Sequence, residues 1–239
     1  MNDSGNPYGL TENTDPHMMK NSEWGAVAYL SHSRYGANRE IYINNSSGYY
    51  TGRSGGNVGG STAINTVYTS QTSTSQYNTY GFYTWNGYLL EYNTNTKSST
   101  HDISKVSSTT GNITGVYDMS GGAWEYVMGY YSPAGSTWGA TSSSNYAGFS
   151  SQPNSKYYDD YTATNSLTAC NGGICYGHGL SEVSDWYDDR ANFVDDGYPW
   201  FSRGGYYFDD SSAGTFLFSS SDGGANYYGA ARSVLVVGS

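Results

Sequence analysis

Only residues 18–33 of this chain carry a convincing helical period. Met18, Trp24, Val27 and Leu30, with Ala28, recur at a partly 3.6-residue spacing, and Asn21 or Ser22 can cap the first turn. Arg34-Tyr35-Gly36 ends the pattern. Elsewhere the apolar residues come in short runs separated by glycine- and serine-rich stretches. Residues 41–43 and 234–237 read as short strands, and residues 124–128 as an alternating one. Residues 81–92 read as a strand pair about Asn86-Gly87, a hairpin-type dipeptide. One helix, a few short strands and long loops predict an α+β domain.

The chain has 239 residues, enough for one domain with a core of its own. Only 36% of them are hydrophobic, whereas Gly numbers 32 and Tyr 27, so that core must be small, aromatic and glycine-laced. Charged residues make up 13% and aromatic residues 17%, the balance of a folding chain rather than of a disordered polyelectrolyte. Residues 1–17 read as an irregular lead-in and 18–239 as the domain.

The net charge is −10, and the 10 Lys and Arg residues are dispersed. Nucleic-acid binding through phosphate contacts is not expected of such a surface. The longest apolar runs, 24–30 and 234–237, fall far short of the roughly 20 residues that a spanning helix needs. Residues 1–10 are polar and do not read as a secretory signal. An exported protein with this sequence would have lost its targeting segment or would travel by another route.

Several segments invite a chemical reading. Gly55-Gly56-Asn57-Val58-Gly59-Gly60-Ser61-Thr62 looks superficially like a phosphate-cradling loop. It lacks the lysine of a P-loop and follows no apolar strand, which leaves a structural loop. In Cys170-Asn171-Gly172-Gly173-Ile174-Cys175 the central turn can bring the thiols together. A local Cys170–Cys175 disulfide, and with it an oxidising environment, is the expectation. The alternatives are a metal site of Cys170, Cys175 and His178, which shows no fourth ligand, and two free thiols. Asp185, Asp188, Asp189, Asp195 and Asp196 read as an acidic loop face; paired carboxylates for glycoside hydrolysis are the competing reading, without a supporting spacing. His17, His32, His101 and His178 are isolated, and no Gly-x-Ser-x-Gly elbow occurs. No catalytic residue, no metal ligand set and no cofactor is therefore assigned. Structural calcium is the alternative reading of Asp209, Asp210 and Asp222; with no spaced oxygen-ligand loop, solvated turns are their expected role outside ligand contact.

Residues 203–239 combine two kinds of residue. Arg203, Gly204, Gly205, Ala213, Gly214, Phe216, Phe218, Arg232 and the 234–237 strand look like a fold terminus. Between them lie Tyr206, Phe208, Asp209, Leu217, Ser219, Ser220, Ser221, Asp222, Gly224, Asn226, Tyr227 and Tyr228, which have no catalytic logic. Tyrosine gives rigid amphipathic contact area, and Ser, Gly and Asn give adaptable hydrogen bonds, so these twelve are candidate ligand-binding residues. Trp124 is expected in the core, and Glu125 is expected to pair with a buried arginine, either Arg203 or Arg232.

Three motifs occur in order. Asn21-Ser22-Glu23-Trp24-Gly25-Ala26-Val27-Ala28-Tyr29 resembles the Glu-Trp helix of the formylglycine-generating-enzyme family. Gly115-Val116-Tyr117-Asp118-Met119-Ser120-Gly121-Gly122-Ala123-Trp124-Glu125-Tyr126-Val127 resembles that family's Asp-Met-x-Gly-Asn-Val-Trp-Glu-Trp signature, with Gly122 in place of Asn and Tyr126 in place of the second Trp. Arg203-Gly204-Gly205 and Gly229-Ala230-Ala231-Arg232 resemble its ending, with Ala231 in place of Phe. The resemblance implies a C-type-lectin-like fold over residues 18–237. The family's oxidases need a late pair of redox cysteines, and none follows Cys175.

The resemblance therefore runs to the non-enzymatic branch, the variable proteins of diversity-generating retroelements. Adenine-directed mutagenesis there rewrites asparagine codons into codons for many residues, but never for Lys, Glu, Gln, Met or Trp. Residues 1–202 hold 24 residues of those five types, and residues 203–239 hold none. On this likeness the twelve candidates are the variable positions and Arg203, Arg232 and the glycines are the frame. The implied role is an adhesin or receptor-binding element at a cell surface or on a phage particle, with a protein or glycan ligand. A surface domain of fixed specificity, pilin-like or wall-attached, is the other non-enzymatic reading.

Overall fold

A computed structural model describes residues 14–45, 50, 107–112, 114–131, 153–161, 180, 183–195 and 197–237. They form a mixed α+β architecture of one α-helix and two sheets. The elements are β1 (Thr14–Met18), α1 (Asn21–Ser31), β2 (Trp124–Tyr131), β3 (Asp159–Tyr161), β4 (Trp200–Gly204), β5 (Gly214–Ser221), β6 (Gly229–Ala231) and β7 (Ser233–Val237). The expected hairpin at 81–92, the loop at 55–62, Cys170, Cys175, His178, His101 and Asp196 lie outside the described residues.

The larger sheet runs β3-β2-β4-β5, with β6 also paired to β2. β2 is its organising strand. One edge pairs antiparallel with β4. The other is covered in sequence by β6 at residues 124–126, by a bridge from Lys20 at Met128, and by β3 at residues 129–131. Every residue of β4 is buried, as a strand covered on both faces must be. On one face, Trp24 and Ala28 of α1 pack with Val127, Phe201, Phe216 and Phe218. On the other, Met128, Tyr130, Tyr158 and Trp200 form a smaller cluster.

α1 starts later than the sequence pattern suggested. Lys20 is the N-cap, and its backbone N–H donates to the Glu23 carboxylate at 2.8 Å. Asn21 and Ser22 lie inside the first turn, so neither caps it. The buried stripe is Asn21, Trp24, Ala28 and Ser31, spaced three and four residues apart. Leu30, assigned to the stripe from sequence, is exposed.

Two further expectations are corrected. Residues 14–18 are not irregular: they form β1, paired antiparallel with β7 from Thr14↔Val237 to Met18↔Ser233. The partner lies at the far end of the chain, where no local pattern can point to it. Ile41 and Ile43 are buried, but the segment forms no strand. Ile43 and Asn44 carry isolated bridges instead; Asn44 bridges to Gly121, donating to Ser120 O and accepting from Gly122 N–H, both at 2.9 Å.

The frame residues of the 203–239 segment have specific physical duties. Gly204 and Gly205 follow one another with φ of 80° and 77°, a region that side chains disfavour. Gly204 O accepts from Gly121 N–H at 2.8 Å, fastening β4 to the Ser120-Gly121-Gly122 turn. At Gly214 a Cβ would stand 1.9 Å from Asp189 Oδ1, so only glycine fits beneath that carboxyl.

Asp189 corrects the reading of the aspartate cluster as one loop face. It is buried, and its Oδ2 accepts from Phe216 N–H at 2.9 Å on the outer edge of β5. Burial raises its pKa to about 8, and the nearby Glu40 charge pushes the same way. Glu40 is raised to about 7, first by burial and then by Asp188. The ordinary values are 3.8 and 4.5, so both groups bind protons more tightly in the folded state. Their effect on stability is therefore most favourable below the unfolded-state values and declines as pH rises from about 4 towards 8. Urea midpoints at pH 5 and pH 8.5 are expected to show lower stability at the higher pH. Asp189 alone contributes at most about 1.4 kcal/mol per pH unit. Asp189→Asn, which still accepts from Phe216, should flatten the slope; an unchanged slope would refute the assignment.

Candidate ligand-binding surface

The face of the sheet turned away from α1 carries the site. Register lines up Tyr126 of β2, Ser202 of β4 and Ser219 of β5 in one row across three strands. Two consecutive serines leave a low floor beside the tyrosine ring. Over it opens a cleft of about 300 Å³, lined by Trp124, Tyr126, Tyr198, Ser202, Ser219, Ser220, Ser221, Asp222, Asn226 and Tyr228. Six of these were candidate ligand contacts from sequence: Ser219, Ser220, Ser221, Asp222, Asn226 and Tyr228.

Hydrogen bonds hold the cleft's margin. The Tyr126 hydroxyl lies 2.7 Å from Ser221 Oγ and donates to Gly224 O at 2.9 Å, fixing the loop after β5 against β2. Gly224 N–H donates to Asp222 Oδ1 at 2.8 Å, and Tyr228 N–H to Asn226 Oδ1 at 3.1 Å. Gly224 thus shapes the loop through its backbone rather than as a side chain. The described lining is four serine hydroxyls, one amide, one carboxylate and four aromatic rings, three of them tyrosines.

An aromatic rim adjoins the cleft. Tyr206 stacks on Trp124 at 6.3 Å between ring centroids and meets Tyr228 at 5.1 Å. Tyr227 packs edge-on against Tyr228 at 4.7 Å, and Phe208 lies 5.9 Å from Tyr206. Phe208 is 62% exposed and Tyr227 78% exposed, unusual for rings that large. Tyr206, Phe208 and Tyr227 thus extend the cleft into one continuous surface.

Two sequence candidates do not belong to this surface. Leu217 is fully buried, and its Cδ1 lies 3.0 Å from where a Cβ on Gly205 would sit. Asp209 is buried as well; its Oδ1 pairs with Arg190 Nη2 at 2.8 Å, and its Oδ2 accepts from Tyr206 N–H at 2.9 Å. Burial raises its pKa, opposed by the Tyr206 N–H and the Arg190 charge. Asp209 therefore shapes the 206–209 turn that presents Tyr206 and Phe208. It was selected from sequence because short polar residues in a turn read alike whether they face solvent or the chain.

Trp124 requires the opposite correction. Expected in the core, it is partly exposed, lines the cleft and stacks beneath Tyr206. The Arg190 guanidinium lies over it at 5.6 Å. Tyr126, Tyr198 and Ser202 were missed altogether. The period-2 alternation of β2 places Trp124 and Tyr126 on one face, which was the available signal for Tyr126. Ser202 needed the strand register, which no local pattern supplies.

Glu125 and Arg203 point to the other face, in a row with Phe218. Glu125 is buried and accepts from Arg232 Nε at 2.8 Å and from Arg232 Nη2. Burial raises its pKa while the Arg232 charge lowers it. Its partner is thus Arg232, and Arg203 serves elsewhere. No protein-family model, curated protein or solved structure matches this chain. Among the described residues, no three His, Cys, Asp or Glu side chains gather into a metal-sized group, and no helix is long and apolar enough to cross a membrane.

Proposed function

We propose that this chain is a ligand-binding display domain of the C-type-lectin-like type, diversified by retroelement mutagenesis over residues 203–239. It acts by contact, as an adhesin or receptor-binding protein, on a protein or glycan ligand at a cell surface or from a phage particle. It carries no catalytic role and no cofactor. The observation that supports this reading is the separation within one segment. The small polar and tyrosine residues converge on one cleft and its rim, whereas Arg203, Gly204, Gly205, Gly214, Phe216 and Phe218 are buried beneath them. Binding surfaces of this kind draw their energy from rigid aromatic anchors set among adaptable polar groups.

The deciding experiment is sequencing of the coding DNA and its flanks. A second copy of the 203–239 coding segment is expected, differing only where it carries adenines. The differences should fall on Tyr206, Phe208, Asn226, Tyr227, Tyr228 and the 219–222 serines and aspartate, and should spare Leu217. Without such a copy the diversification reading fails and a domain of fixed specificity remains.

Stability provides a second check on which residues are frame. Tyr227→Ala should shift the unfolding free energy by no more than about 0.5 kcal/mol, because its ring is exposed. Leu217→Ala should cost about 2–5 kcal/mol through the cavity it leaves. Equal effects in urea titrations would contradict the division.

A further inference from the structure

A second cavity, of about 420 Å³, lies on the opposite face of the sheet, between α1 and the β4–β5 strands. Its rim includes Ser22, Ala26 and Tyr29, all solvent-exposed, so it opens at the surface. Its walls are mainly apolar, with Leu180, Val183 and Phe216. Two features set it apart from an ordinary packing defect.

The first is Arg203. Its residue is 1% exposed, yet no carboxylate among the described residues lies within ion-pair distance of it. Nη1 donates to Asn21 Oδ1 at 2.9 Å and Nη2 reaches Thr215 O at 3.4 Å, whereas Nε has no hydrogen-bond partner. Burial lowers its pKa only to about 10, so it is charged at neutral pH. A buried guanidinium held by one amide oxygen, one long carbonyl contact and the ring faces of Trp24 and Phe218, with no carboxylate paired to it, is under-compensated. Asp189 acts on it electrostatically without a direct contact, and its own pKa, raised to about 8 by burial, leaves it largely protonated at pH 7.

The second is Gly25. It sits in the middle of α1, where glycine costs about 1 kcal/mol relative to alanine. A Cβ built there meets nothing within 4 Å. Packing does not demand a glycine at this position; the effect of having one is to keep space open along the cavity wall.

We infer that this cavity is a binding site for a small organic carboxylate with an apolar body, whose carboxylate pairs with Arg203. A carboxylate matches the planar donor fork of a guanidinium, and the apolar walls would bury the remainder of the ligand. The site is independent of the cleft on the other face: β4 directs Ser202 to one and Arg203 to the other.

The test titrates the full chain with benzoate, and with benzyl alcohol as its uncharged counterpart, by calorimetry and by thermal shift. Benzoate should bind saturably and raise the melting temperature, and benzyl alcohol should bind at least about tenfold more weakly. Gly25→Phe should abolish benzoate binding by filling the cavity; Ala26→Phe, placed at the exposed rim, serves if the first variant does not fold. Tyr227→Ala should leave benzoate binding unchanged, which separates this site from the cleft. No saturable benzoate binding, equal binding of benzyl alcohol, or undiminished binding in the filled variant would each overturn the inference.

Discussion

Glu125→Ala is expected to lower the unfolding free energy by about 3–5 kcal/mol, a large share of the roughly 5–15 kcal/mol that holds a domain together. The substitution strands Arg232 without its counter-charge. Arg232 is a junction: its Nη2 also donates to Asp118 O at 3.1 Å, and its backbone carbonyl accepts from Met19 N–H at 2.8 Å. One ion pair therefore fastens the link between β6 and β7, the exit from β1 and the turn before β2. Removing Arg232 at the same time should cost less than the two single losses added together, since it removes the stranded charge. Urea unfolding of the single and double variants measures this. A loss below about 1 kcal/mol for Glu125→Ala would show that the pair is dispensable.

Trp24→Ala is expected to cost a similar amount, about 3–5 kcal/mol, from the cavity alone. Trp24 is fully buried, and its Nε1 donates to Thr215 O at 2.8 Å, joining α1 to β5. Its ring also lies between the two arginines, 5.8 Å from the Arg203 guanidinium and 5.7 Å from that of Arg232. Losing it removes packing, a hydrogen bond and the π-face beside two cations, Arg203 fully and Arg232 partly desolvated. Trp24→Phe separates these contributions. It keeps much of the volume and the ring but leaves Thr215 O only the long 3.4 Å contact from Arg203 Nη2, and should cost about 1–3 kcal/mol. If the two variants unfold at the same urea concentration, the hydrogen bond rather than the ring dominates.

The residues that sequence places well are those whose role is local. The alternation of 124–128 gives the central strand, and the Trp24–Ala28 spacing gives the helix. The Ser120-Gly121-Gly122 turn carries its own signal, since glycine is the residue that tolerates φ of 73° and 78° at Gly121 and Gly122. The polar residues at 219–222 and Tyr228 could be picked out as candidates before any fold was known, and they line one cleft. Leu217 shows the limit: an apolar residue between Phe216 and Phe218 is buried whichever way it points, because β5 is covered on both faces over that stretch.

Composition and local pattern thus determined the α+β class, helix α1, the central strand and the polar and tyrosine residues that line the cleft. Tertiary structure decided the rest. It paired residues 14–18 with 233–237, matched Glu125 with Arg232 rather than Arg203, turned Asp209 inward and brought Trp124 out to the cleft. The physical reason is the same in each case. A propensity or a turn preference acts over a few neighbours and is written in them. A strand partner, an ion-pair partner or the exposed side of a ring depends on which distant segment arrives beside it, and only the folded sheet brings those segments together.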